Sequence, residues 1–302
     1  VPPLGGYRGP VVTASSTLTV AARGRRGFLQ DSLARVNPRQ SRAELRFGLP
    51  DDRSGWTGCD EFLRTPDAFT RWHAGLASWL VDRYADSPDR TTAGYVMTWY
   101  LWVPGYLASL LFHHERRVPS LRPADLAFRM ASPRPHPDGI AVLSPRFACL
   151  PDDPAAGTPE ATVVPDERAL AALLRGRFAT HAARFVDVYG PQVRLGRRML
   201  WAAATDVLDT SLWLAGRYGG AEDEGVLDAA LVLGDGPAPF TSGSTLRPVP
   251  DGTWTRRRES CCFHYLLAAG QGTCESCPRL ARKPGGPKAL VSPGDCQTAF
   301  SG

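Results

Sequence analysis

Residues 165–220 read PDERALAALLRGRFATHAARFVDVYGPQVRLGRRMLWAAATDVLDTSLWLAGRYGG. This stretch predicts two helices in succession. Pro165-Asp166 is a start signal, and Leu170, Leu174, Phe178, Ala182 and Phe185 then share one face at helical spacing. Gly190-Pro191 breaks the run, because proline lacks an N–H and its ring clashes with the preceding turn. A second helix is predicted from Gln192 to about Tyr218, with Val193, Leu200, Ala204, Val207, Ser211 and Leu214 inward. Gly219-Gly220 stops it. Two long helices joined by so short a break form a hairpin, so the second half of the chain reads as helical. Glu222 to Leu233 adds a short third helix, and Gly234 to Gly252 is a long Gly/Pro/Ser-rich connection.

Upstream, Thr65-Pro66-Asp67 opens a predicted helix over Asp67–Ala85, with Phe69, Trp72, Leu76, Trp79 and Leu80 on one face. A second helical block runs from Asp89 to His114. It carries no charged side chain between Thr91 and Phe112, a length that would span a bilayer. Pro104-Gly105 interrupts the block and Thr92, Tyr95, Thr98, Tyr100 and Ser109 dilute it. The expectation is therefore a buried helix pair or one kinked core helix, with a peripheral membrane contact kept open. Residues 1–50 read as irregular apart from a β-like run, Val11-Val12-Thr13 through Leu18-Thr19-Val20; Asp51–Gly58 reads as a loop. Ala124–Ala131 and Gly139–Leu150 read as strands on either side of a turn at Pro133–Pro137. Pro151–Pro159 is a linker by composition. The predicted fold is α+β and predominantly helical. An N-terminal α+β domain with a small β element covers residues 1–155, and a helical domain covers 156–302, ending in the cysteine segment 255–280.

Hydrophobic residues make up 43% of the 302, enough for a sizeable core, which argues against whole-chain disorder. A net charge of +5 on this length, without a polybasic arm, finger spacing or ribonucleoprotein signature, argues against nucleic acid as a partner. The basic residues are nearly all arginine, the lysines being Lys283 and Lys288. No P-loop, nucleophile elbow, H-E-x-x-H or paired-carboxylate pattern stands out, and no catalytic residue is singled out beyond a metal centre. His113-His114 reads as a helix C-terminal cap region. The seven cysteines are an odd, unevenly spread set and a poor disulfide framework. With no charged-then-apolar leader at Val1-Pro2-Pro3-Leu4, the cytoplasm is the expected compartment. Cys59, Cys149 and Cys296 read as inert thiols.

The other four form one constellation. Arg256-Arg257-Arg258-Glu259-Ser260-Cys261-Cys262-Phe263-His264-Tyr265 is followed, after Leu266–Thr273, by Cys274-Glu275-Ser276-Cys277-Pro278. The pattern is C-C-x11-C-x2-C. Four thiolates so close in sequence suit a soft metal centre. The C-x2-C spacing lets two sulfurs converge, and Gly270-Gln271-Gly272 lets the chain reverse so that the pairs can meet. An iron–sulfur cluster is the leading reading. A four-cysteine zinc site, a disulfide and a metal-free C-x-x-C redox pair remain alternatives. Arg256–Arg258 read either as a basic rim around the centre or as a solvated charge run. His264 reads as a hydrogen-bond partner or as a packed histidine.

This segment resembles the C-terminal signature of the FhuF-type siderophore-iron reductases, in which C-C-x10-C-x2-C follows a basic stretch and binds [2Fe–2S]. The departure here is one extra residue between the pairs, in a Gly-rich turn where insertion is cheap. The helix carrying Arg197-Arg198-Met199-Leu200-Trp201 is similar to the one upstream of the family motif. The resemblance implies a [2Fe–2S] cluster on Cys261, Cys262, Cys274 and Cys277. It also implies one-electron reduction of a ferric siderophore. No Gly-rich strand-to-helix fingerprint for NAD or flavin occurs, so an external protein or small reductant is the expected donor, and Arg258 and His264, beside the cysteines, are the candidate substrate-binding residues. An iron–sulfur electron carrier or sensor, or a zinc-stabilised binding module, is the alternative function.

Overall fold

The computed structural model describes residues 27–250, 252–267, 274 and 276–279. The run from Val11 to Val20, the Gly270-Gln271-Gly272 reversal and Cys296 lie outside them. The first element is α1 (Phe28–Val36), which buries Leu29, Leu33 and Val36 at helical spacing. Next come β1 (Glu44–Phe47), β2 (Trp56–Gly58), α2 (Cys59–Arg64) and α3 (Ala68–Tyr84). The irregular reading of residues 1–50 is thus corrected over α1 and β1. With nine residues, α1 offers too few apolar anchors for a clear period, and β1 exists through pairing with a strand far along the chain. By contrast, α3 falls within a residue of its predicted bounds, closed by Ala85 in the left-handed conformation.

The uncharged block is a single helix, α4 (Asp89–Glu115), with Pro104 inside it. Every residue from Thr91 to Phe112 except Thr98 is buried. A helix that is apolar all round belongs in a core, and this one lies against α1 and α3 and the two long helices that follow. Among the described residues no helix is long and apolar enough to cross a membrane.

Five short strands come next: β3 (Val118–Pro119), β4 (Leu126–Met130), β5 (Pro137–Val142), β6 (Phe147–Cys149) and β7 (Ala161–Val163). One sheet has the order β1-β5-β4-β2, with β1 parallel to β5 and the other pairs antiparallel. Another has the order β3-β6-β7. The single strand expected over Gly139–Leu150 is therefore two, in different sheets, divided around Ser144-Pro145, where proline withholds a ladder donor.

Three helices complete the α layer: α5 (Glu167–Tyr189), α6 (Arg197–Gly219) and α7 (Glu222–Leu233). Asp166 caps α5 by accepting from the Ala169 N–H at 2.8 Å. The start of α6 is five residues later than predicted. Pro191 sits in a single 3-10 turn, Val193 is extended, and the helix restarts after Gly196, which is also extended. At Gly105 the helices α4 and α6 come so close that a Cβ would collide with Val207 and meet Phe178 at 3.1 Å. A short hairpin, β8 (Leu246–Pro248) and β9 (Trp254–Arg256), then leads into the cysteines. One continuous apolar cluster runs from α1 through α4 to α7 and takes in Cys261, Cys262 and Cys277.

Candidate metal centre

Two carboxylates in α6 position the cysteine segment. Asp206 and Asp209 lie a turn apart on a helix that is otherwise apolar here, and both are buried, at 4% and 1% exposure. A buried charge is tolerated only when paired and fully hydrogen-bonded. Asp206 pairs with Arg256, whose Nη1 also donates to the Asp206 carbonyl at 2.9 Å. Asp206 further accepts the Glu259 N–H at 2.9 Å, the Ser260 N–H at 2.7 Å and the Ser260 hydroxyl at 2.5 Å. Asp209 accepts the Ser244 and Thr245 hydroxyls at 2.6 and 2.9 Å. One turn of α6 thus ties down both the approach to β8 and the residues directly ahead of Cys261.

The N-terminal half of α4 holds the other side of the loop. Thr91 Oγ1 donates to the Phe263 carbonyl at 2.9 Å, and Tyr95 OH shares a 2.6 Å hydrogen bond with His264 Nδ1. Phe263 takes a left-handed φ of 59°, strained for a bulky residue, with the Arg90 guanidinium 5.2 Å from its ring centroid. A Cβ on Gly94 would meet the Cys262 carbonyl at 3.0 Å, so glycine permits this approach.

Between these supports the four sulfurs come together. Cys261, Cys262 and Cys277 are buried and Cys274 is half-buried. Cys261 and Cys277 share a side-chain hydrogen bond, as do Cys277 and Cys274. Arg258 Nη2 links the remaining sulfur, reaching Cys274 Sγ at 2.9 Å and Cys262 Sγ at 3.3 Å. The Cys277 N–H donates to the Cys274 carbonyl at 2.9 Å, and the Arg258 N–H to the Ser276 carbonyl at 2.8 Å, which fixes the second pair beside the first. The hydrogen bond from Cys277 holds the Cys261 thiol below its ordinary pKa, against the effect of burial. Burial opposes the charge on Arg258, but the facing Cys262 and Cys274 outweigh it and raise its pKa well above the usual value.

The six described cysteines are all free thiols. Among the described residues no three His, Cys, Asp or Glu side chains are placed to hold one metal ion. A four-cysteine zinc site would place all its ligands on a single ion. A [2Fe–2S] cluster instead shares four cysteines between two irons. The donor set fits that group: two thiol pairs, an enclosing apolar shell and a fixed cation facing two of the sulfurs.

Residues 258–279 match the FhuF 2Fe-2S C-terminal domain. The match gives the segment a [2Fe–2S] cluster and bears out the resemblance drawn from the cysteine spacing. No curated protein matches the chain.

The three arginines have separate fates. Arg256 is neither rim nor solvated charge but the buried partner of Asp206. Arg257 donates to the Pro278 carbonyl at 2.6 Å. Arg258 faces the sulfurs. His264 is buried against Tyr95, with Tyr84 edge-on at 5.6 Å. The supporting residues Asp206, Asp209, Thr91 and Tyr95 went unnoticed in the sequence. Their one local signal is two aspartates on the inward stripe of an apolar helix.

Proposed function

We propose that the protein is a ferric-siderophore reductase whose [2Fe–2S] cluster is held by Cys261, Cys262, Cys274 and Cys277. The observation that carries this reading is the meeting of those four sulfurs, with Arg258 across two of them, inside the FhuF-type segment. When bound, the cluster supplies single electrons, at a potential set by hydrogen bonds to its sulfurs and by its exposure. The chain itself supplies the rest. α4 and α6 clamp the loop from two sides and exclude water from three of the four sulfurs. Arg258 places a fixed positive charge where negative charge accumulates on reduction.

The substrate chemistry follows from the metal. Fe(III) is hard and is gripped by anionic oxygen donors, whereas Fe(II) is held far more weakly by the same donors. One electron from an external donor, passed on to the ferric complex, yields Fe(II) and the intact chelator; no bond of the chelator breaks. No Gly-rich strand-to-helix fingerprint occurs in the chain, so the donor is a separate redox protein or a small one-electron reductant. The free thiols fit a reducing, cytoplasmic setting.

The test is anaerobic purification followed by visible and EPR spectroscopy, then stopped-flow mixing of the pre-reduced protein with a ferric hydroxamate and an Fe(II) trap. The expected result is an axial or rhombic [2Fe–2S] signal, with reoxidation accelerated by the ferric complex and matched by trapped Fe(II). A colourless protein with stoichiometric zinc would overturn the cluster assignment. Reoxidation no faster with the complex than without it would exclude the reductase reading and leave a carrier or sensor.

A further inference from the structure

Four large apolar side chains are exposed among the described residues, and two of them, Val81 at 51% and Leu266 at 37%, lie at one junction beside the metal centre. Tyr84, which ends α3, packs edge-on against His264 with ring centroids 5.6 Å apart. Val81 precedes Tyr84 by three residues and is therefore its neighbour on the helix surface. Leu266 follows His264 by two, in the same 3-10 turn.

Arginines that stack on aromatic rings border this apolar spot. Arg83 lies over Tyr84 at 5.4 Å, Arg90 over Phe263 at 5.2 Å and Arg279 over Tyr265 at 4.7 Å. All three are exposed, and none is in an ion pair among the described residues. A ring neutralises no charge, and stacking leaves the N–H fork for an outside carboxylate. The acidic neighbours mostly face elsewhere. Asp82 sits about 200° round α3 from Tyr84. Asp89 shares a stripe of α4 with Ala93, on the side of Tyr189 and His73, whereas Arg90 shares one with Gly94, against Cys262. Asp86, which accepts the Ser87 N–H at 2.8 Å, and Glu259 remain, so the three arginines leave the surface positive. Phe263 directly follows Cys262, and Arg279 follows Cys277 by two residues, so the surface borders the cluster ligands.

We propose that this surface docks the electron donor, and that the donor is a protein with an acidic face around a one-electron centre. The proposal rests on the electron-transfer part of the reading above and is independent of the siderophore. On contact the donor loses one electron and the cluster gains it; no bond forms or breaks. Tyrosine and arginine are enriched in protein interfaces and carry much of their binding energy. Redox encounters are small, under about 1,200 Å² in total, and charge steering sets their on-rates.

Flavodoxin hydroquinone is the probe, because flavodoxin is acidic and one-electron oxidation of its flavin gives a blue product distinct from the cluster. It is mixed in anaerobic stopped flow with the oxidised, cluster-loaded protein. The same flavodoxin with amidated carboxylates is the uncharged comparison, and photoreduced deazaflavin is the small donor. The second-order rate is expected to fall about ten-fold or more between about 0.02 and 0.3 M salt, and by as much on amidation. Arg83→Glu and Arg279→Glu are each expected to slow flavodoxin at least about three-fold, with the cluster spectrum and the deazaflavin rate those of the parent. Arg168→Glu should change nothing, since it adjoins Glu167, which pairs with Arg116 just past the far end of α4, about 40 Å from Arg90. Should Arg279→Glu fail to load cluster, Arg83→Glu and the salt series decide. A parent rate indifferent to salt and amidation, variants as fast as the parent, or equal slowing by Arg168→Glu overturns the docking surface. So does a parent that deazaflavin reduces but flavodoxin does not, and the electron-transfer reading then stands with a small reductant as donor. A cluster that deazaflavin cannot reduce overturns that reading and the surface with it.

Discussion

Replacing Arg258 by methionine removes one half-buried positive charge and two hydrogen bonds to sulfur, and keeps much of the side-chain volume. The main chain stays tied, because the Arg258 N–H donates to the Ser276 carbonyl whatever the side chain. With the four cysteines as cluster ligands, the added electron arrives next to a guanidinium nitrogen that lies 2.9 and 3.3 Å from two ligand sulfurs. The charge is spread over the cluster, so a mean separation of about 5 Å at an effective dielectric of about 20 gives roughly 3 kcal/mol of attraction for the reduced state. For one electron that corresponds to a potential lowered by on the order of 100 mV in Arg258→Met. Arg258→Lys keeps the charge but reaches fewer acceptors from a single point, so its potential is expected to lie between parent and Arg258→Met. The assay is a dye-mediated anaerobic titration followed by the visible and EPR signals, with iron and sulfide analysis to confirm loading. A fully loaded Arg258→Met protein with the parent's midpoint potential would refute the reasoning and reduce the Arg258 contact to a packing role.

Three further outcomes follow from the supports and the core. Asp206→Ala leaves the buried Arg256 with only the more distant Asp209 carboxylate, 3.9 Å from its Nε, and is expected to cost about 3 kcal/mol in denaturant unfolding, with loss of cluster during purification. An Asp206→Ala protein of parental stability would sink the anchoring role. Gly105→Ala forces α4 away from Val207 and is expected to destabilise by about 1–3 kcal/mol, measured in the same way. Burial holds His181 neutral, with a pKa lowered to about 4. The unfolded chain therefore binds a proton that the folded chain refuses, and stability falls as pH drops from about 6.5 toward 4. Between pH 7 and pH 5 the loss is about 2 kcal/mol from this group, and it should vanish in His181→Asn.

The legible parts of the fold are those in which the helical period repeats often enough to be counted. α3, α5 and α7 were placed within one or two residues because their apolar positions recur and their ends carry Pro, Asp or Gly. α6 was legible along its length but not at its start, since Val193 continues the apolar period although its backbone is extended. β1 was not legible, because a four-residue strand is defined by its partner β5 and not by its own residues.

The same division holds at the metal centre, with a further physical reason. Cysteine spacing is local chemistry: four soft donors close together restrict the candidates before any fold is known. The supports are long-range. Arg256 and Arg258 are chemically alike and two residues apart, yet one neutralises an aspartate fifty residues away and the other faces two sulfurs. Along an extended segment, positions i and i+2 point to the same side, so alternation alone would give both arginines one environment. They part because β9 ends at Arg256 and the chain is then drawn onto Asp206 through the Glu259 and Ser260 N–H groups, which turns Arg258 toward the cysteines. The carboxylate on α6 therefore decides which arginine reaches the sulfurs, and Asp206→Asn should disturb the environment of the four thiols even though its side chain touches none of them.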